Sequence, residues 1–169
     1  LCGLTGTPPH RDITKTALGA DESVAWEHAE DVLVLLEKLK SEGFIIVALE
    51  QAEGSTKLQD FVPELARKYA FVLGNEVFGV NEEVINQSDI CLEIPQFGTK
   101  HSLNVSVSAG IVAWDYVSKT LKSYHKNNMK FLENFGKVFI FGLNPTQKNN
   151  PLGQVFGSVA LKPKGGVLM

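Results

Sequence analysis

The chain has 169 residues, 44% of them apolar, which is enough for one domain with its own core. No apolar run reaches the length of a membrane span and no signal-peptide pattern opens the chain, so no membrane partner is expected. The net charge of −3 argues against a protein that coats nucleic acid through bulk positive charge.

Taken in chain order, the first apolar run (LCGL, 1–4) holds Cys2, and a later one (ICLEI, 90–94) holds Cys91. Both cysteines read as buried free thiols of a reducing compartment, for which the cytoplasm is the expectation. Residues 26–41 predict a helix with Val32, Leu35, Leu36 and Leu39 on one face, closed by Gly43. The runs FIIVAL (44–49), YAFVL (69–73), ICLEI (90–94) and VFIF (138–141) suit strands buried on both faces of a parallel sheet. Asn81 is the expected N-cap of a short helix with Glu82 and Glu83 in its first turn. The fold class is therefore α/β, a mostly parallel sheet flanked by helices.

A helix predicted over 102–119 carries two apolar rows. Leu103, Val107, Ile111, Trp114 and Val117 form one, and Val105, Ala109, Val112 and Tyr116 form the other. One row suffices for a helix resting on its own domain. The second points to a partner, most simply the same helix of a symmetry mate, with burial inside the monomer as the alternative. Beyond it, Lys119, Lys122, His125, Lys126 and Lys130 make a basic stripe without acids, readable equally as a solvated helix end or as an RNA contact.

In parallel α/β sheets ligands collect beyond the carboxyl ends of the strands. There stand Leu49-Glu50-Gln51, Gly74-Asn75-Glu76 and the loop from Pro95 to Gly98, followed by Ser102-Leu103-Asn104 at the expected helix start. Gly74 offers a ligand close approach to the backbone, and helix-start N–H groups favour a polar or anionic guest. Each has an ordinary reading too: Gly74 can simply end a strand, Ser102 can be only an N-cap, and Glu76 can be a solvated turn residue. An ordinary nucleotide-binding enzyme ranks last, because no glycine-rich phosphate fingerprint is present.

Taken together, LGNEVFG (73–79), IPQFG (94–98) and HSLNVSVSAGI (101–111) resemble the second and third signature motifs of the SpoU-type (TrmH-like) methyltransferases of the SPOUT superfamily. The similarity extends back through TGTPPHRD (5–12) and KTALG (15–19), and so covers residues 1–119. The resemblance implies a SPOUT-type α/β trefoil knot and S-adenosyl-L-methionine-dependent 2′-O-ribose methylation of RNA, tRNA ahead of rRNA. A catalytically silent RNA-binding or assembly module on the same fold is the alternative. The cofactor would be held mainly by backbone groups of Leu49, Gly74, Ile94, Ser102 and Leu103. Glu76 and Asn104 would match the family's active-site acid and amide, with Ser102 shared between cofactor binding and catalysis. His10, Arg11, Lys15, Lys100 and His101 are the candidates for RNA phosphate contact. No metal is expected, and the family's homodimer would use the helix at 102–119.

A ribose 2′-OH is a poor nucleophile, so its oxygen must be placed in line with the sulfonium methyl and its proton helped away. Positioning should supply most of the gain, with Glu76 holding basic groups or loop backbone instead of serving as the base.

The family's first motif, with its catalytic Arg, is expected before Leu1. A similar pattern stands instead at the far end: VFIFGLN (138–144), NNPLG (149–153), then Val155 and Phe156. GVLM (166–169) would run naturally into LCGL (1–4). The expectation is one domain over 1–169 in which 120–169 supplies a displaced first-motif segment. A circular permutation, a segment numbered out of order and an unrelated tail all remain open. Gly157 and Ser158 stand where the Arg would fall, and no Arg follows Arg67.

Overall fold

Alternation along the central strands decides the architecture, because neighbouring side chains of a strand face opposite sides of its sheet. In β2 (Phe44–Leu49), Val47 faces one side and Ile46 and Ala48 the other. In β4 (Lys68–Leu73), Tyr69, Phe71 and Leu73 oppose Ala70 and Val72. Both sets are buried, so both faces of the sheet need cover. The structure, a computed structural model, describes residues 1–3, 5–64, 67–74, 78–99, 102–124 and 137–143.

The remaining strands are β1 (Cys2–Gly3), β3 (Thr56–Lys57), β5 (Ile90–Glu93) and β6 (Lys137–Leu143). They join in the order β1-β6-β4-β2-β5-β3, and every pairing is parallel. The apolar run near the far end thus takes an inner place. Its Val138 is opposite Ala70 and its Gly142 opposite Cys2.

The helices are α1 (Arg11–Ala17), α2 (Ala20–Ser23), α3 (Val32–Ser41), α4 (Glu82–Gln87) and α5 (Val105–Tyr124). Leu36 and Leu39 of α3 and Val84 of α4 cover the face bearing Ile46 and Val72. Val105, Ala109, Val112, Ala113 and Tyr116 of α5 cover the other. There the rings of Tyr69, Phe71 and Tyr116 meet with centroids 5.5–6.2 Å apart. Such side chains contribute roughly 1.5–3 kcal/mol each on burial. Burial also raises the phenol pKa of Tyr69 and of Tyr116, which therefore stay neutral.

Two helix starts differ from expectation. Helix α3 begins at Val32, not at Trp26, because the Asp31 carboxylate accepts from the Leu33 and Val34 N–H groups at 2.8 and 3.3 Å. The residues just before it form no helix, and Ala29 is bridged to Cys2. Its far end is as read, with Gly43 at φ +83°. The last helix begins at Val105, not at Ser102. Asn104 Oδ1 takes the Ser106 N–H at 2.9 Å and its hydroxyl at 2.6 Å. Asn81 caps α4 as expected, accepting from Glu83 N–H at 2.9 Å.

Candidate functional site

Parallel strands end together. Leu49 lies opposite both Leu73 and Leu92, so β2, β4 and β5 present their last carbonyls at one edge of the sheet. The segments leaving that edge enclose a cavity of about 400 Å³. Residues 49–51 end and leave β2, 73–74 and 78–80 end and leave β4, 92–94 and 96 end and leave β5, and 102–103 lead into α5. Leu49, Gly74, Ile94, Ser102 and Leu103, the residues singled out as backbone ligands, all stand in this one lining.

The close approach at Gly74 serves the chain itself. A Cβ there would overlap the backbone of Gly79 and Val80, so the space beside its Cα is already taken. Gly79 and Val80 lie against Gly74, an approach that only a residue without a side chain permits. Gly79, at φ +64°, is pressed in turn against the Glu50 carboxylate.

Glu50 went unassigned in the sequence, yet it ties three walls together. Its N–H donates to Leu92 O at 3.0 Å, its Oε1 accepts from Gln51 N–H at 3.0 Å, and its Oε2 accepts from Val80 N–H at 2.7 Å. Its carbonyl receives the Cys91 thiol at 3.4 Å. Burial raises the pKa of that thiol, so Cys91 stays a protonated donor and not a nucleophile. A lone charge directly after a buried apolar strand was the available signal. Ser108, also in the lining, was legible as the residue one turn beyond Asn104, whose carbonyl takes its N–H at 3.0 Å.

The other assigned residues are more dispersed. Asn104 is exposed and outside the lining, its amide oxygen committed to Ser106. That leaves its Nδ2 amine as the half able to meet a substrate. His10 caps α1, with Nδ1 accepting from Asp12 N–H at 3.3 Å. Arg11 and Lys15 lie one turn apart on α1, exposed and away from the cavity lining. Glu76, Lys100 and His101 lie outside the described residues. Of the basic stripe, Lys119 is engaged with Asp115 at 2.7 Å and with Leu58 O at 2.6 Å, while residues 125–130 lie outside the described residues. Among the described residues, no three His, Cys, Asp or Glu side chains could hold a metal ion, and no helix is long and apolar enough to cross a membrane.

A parallel sheet whose neighbouring strands end around one cavity has the geometry at which α/β domains hold small molecules. Residues 3–114 match the model of the SpoU rRNA Methylase family, and the chain belongs to that family. It is similar to a mouse tRNA (guanosine(18)-2′-O)-methyltransferase, TARBP1, at 37% identity over 51% of this chain and 5% of that protein. It is also similar to the 23S rRNA (guanosine-2′-O-)-methyltransferase RlmB of Neisseria meningitidis serogroup B, at 35% identity over 59% of this chain and 39% of that protein. The chain spans less than half the length of these curated relatives. Among solved structures, the A. aeolicus TrmH/SpoU tRNA modifying enzyme superposes with a TM-score of 0.58 at 28% identity, over 63% of this chain and 53% of that one. An AdoMet-bound rRNA methyltransferase from Sinorhizobium meliloti shares the fold at 22% identity and a TM-score of 0.62, over 68% of this chain and 43% of that one.

Proposed function

We propose that the protein is an S-adenosyl-L-methionine-dependent RNA 2′-O-ribose methyltransferase acting on tRNA ahead of rRNA. One observation carries the reading: five residues chosen from sequence as cofactor ligands lie on four chain segments and line a single cavity. Family membership and the tRNA methyltransferases among the relatives support the reaction and the order of substrates.

The cavity fits the cofactor in size and chemistry. Its volume of about 400 Å³ falls within the ~300–1,000 Å³ of small-molecule sites. Leu49 and Leu103, both partly exposed, provide apolar surface for a purine. Its charged residues among those described are Glu50 and Glu93, which suit a cationic ligand. When bound, the cofactor supplies a methyl group already activated on sulfur. The chain's own task is placement: main-chain groups after the three strands hold the guest, and Ser102 and Asn104 orient the ribose hydroxyl. His10, Arg11 and Lys15, with Lys100 and His101, would bear on phosphates. The test is calorimetry of the purified protein with S-adenosylhomocysteine, together with transfer of labelled methyl groups to tRNA. Binding with transfer supports the enzyme, binding without transfer supports the silent module, and no binding removes both cofactor readings.

We further propose a homodimer through α5. The two sequence rows separate along the middle of the helix. Val105, Ala109, Val112 and Tyr116 are buried, and Val107, Ile111 and Trp114 stay exposed, Trp114 to 71%, whereas Val117 packs against the core and Leu103 lines the cavity. Three large apolar groups in adjacent turns of one helix suit an isologous contact. Trp114→Glu is expected to turn a dimer into a monomer in analytical ultracentrifugation, and a monomeric wild-type protein would remove the proposal.

The knot of the SPOUT superfamily, the cytoplasmic setting suggested by free Cys2 and Cys91, and one domain with a displaced first-motif segment in 120–169 belong to the same reading. The pairing of β6 with both β1 and β4 supports the displaced segment. Nuclear Overhauser contacts between 69–73 and 137–141 would test that pairing, and a traced experimental structure would test the knot.

A further inference from the structure

The Glu50 carboxylate has two acceptor oxygens, and both are spent on backbone N–H groups of segments that wall the cavity. The Val80 contact matters most. It holds the returning end of the loop that Gly74 lets close, with Gly79 pressed against the same carboxylate. Main-chain atoms can recognise a small molecule only where the main chain is fixed, and a loop costs conformational entropy to fix. A hydrogen bond to a charged acceptor is stronger than a neutral one, and this one is part-buried at 2.7 Å.

We infer that Glu50 is a positioning residue: its carboxylate clamps the Gly79–Val80 backbone against Gly74 and so pre-forms the β4 wall of the cofactor cavity. The inference rests on the reading of the cavity as a cofactor site, while the clamp itself can be measured with nothing bound. Glutamine keeps one acceptor oxygen, enough for the Val80 N–H but not for the Gln51 N–H as well, and alanine keeps none.

The experiment is residue-resolved amide exchange by NMR on the ligand-free protein, paired with calorimetry using S-adenosylhomocysteine. In Glu50→Ala, Val80 exchange should quicken by about tenfold or more while Val112 and Val72 keep their rates. Affinity should fall by about tenfold or more alongside it. Glu50→Gln keeps an oxygen for Val80 but turns its NH2 group toward the Gln51 N–H, so both quantities should fall between those of wild type and of alanine. If the alanine variant does not fold, Glu50→Asp, whose shorter side chain withdraws the carboxylate from Val80, takes its place. Unchanged Val80 exchange overturns the clamp, as does a glutamine variant as impaired as alanine. Lost affinity with Val80 protection intact overturns it too, by making Glu50 a direct ligand. A wild-type protein that fails to bind S-adenosylhomocysteine counts against the cofactor reading alone, since Val80 exchange still reports the clamp.

Discussion

Gly74→Ala is expected to destabilise the protein by about 3 kcal/mol, at the upper end of overpacking costs, and to abolish S-adenosylhomocysteine binding. The added Cβ would overlap the backbone of Gly79 and Val80, not the tip of a side chain that could swing away. Those two residues cannot retreat cheaply, because Glu50 Oε2 holds Val80 N–H at 2.7 Å and Gly79 abuts the same carboxylate. Any relief must therefore open the loop, and opening it removes one wall of the cavity. Urea unfolding should show a lower midpoint with little change in slope. Gly98→Ala is the control: a Cβ there meets no atom of the described residues within 4 Å, and that variant should match wild type. A Gly74→Ala protein with wild-type stability would mean that the loop does not close on its own start.

The parts of this architecture written in local chemistry were legible in the sequence. Strands buried on both faces announce themselves as short apolar runs, and Phe44–Leu49 was bounded correctly at both ends. The caps at Asn81 and Gly43 follow from side-chain chemistry within a few residues. What escaped depends on partners distant in sequence or on competition between neighbours. Cys2–Gly3 and Thr56–Lys57 are strands only because β6 and β5 lie beside them, since two residues hold no periodicity of their own. Ser102 and Asn104 are both good N-caps, and the contest went to Asn104, whose oxygen gathers two donors from Ser106. The Glu50 clamp needs β2 and the loop after β4 in register, which no linear motif states. For the candidate site, the resemblance picked out residues that proved to share one cavity. Local rules had assigned the room at Gly74 to a guest, and the chain's own loop fills it.

Asn104→Ala is expected to reduce methyl transfer to tRNA by about a hundredfold or more, the usual cost of losing one well-placed donor. The same change removes a helix cap, and this second effect must be separated from the first. Losing the cap should cost about 1 kcal/mol, a fall in Tm of roughly 2–4 °C for a chain of this size. Asn104→Asp separates the two roles. Ser106 N–H can only donate, so it is the oxygen of the amide that caps, and a carboxylate replaces that oxygen fully. The added negative charge at a helix N-terminus is favourable as well. Aspartate should therefore return Tm to the wild-type value. It cannot replace the Nδ2 donor, so turnover should stay low at saturating cofactor. If aspartate restores turnover together with Tm, Asn104 is a cap and nothing more, and orientation of the ribose must fall to Ser102 and the neighbouring backbone.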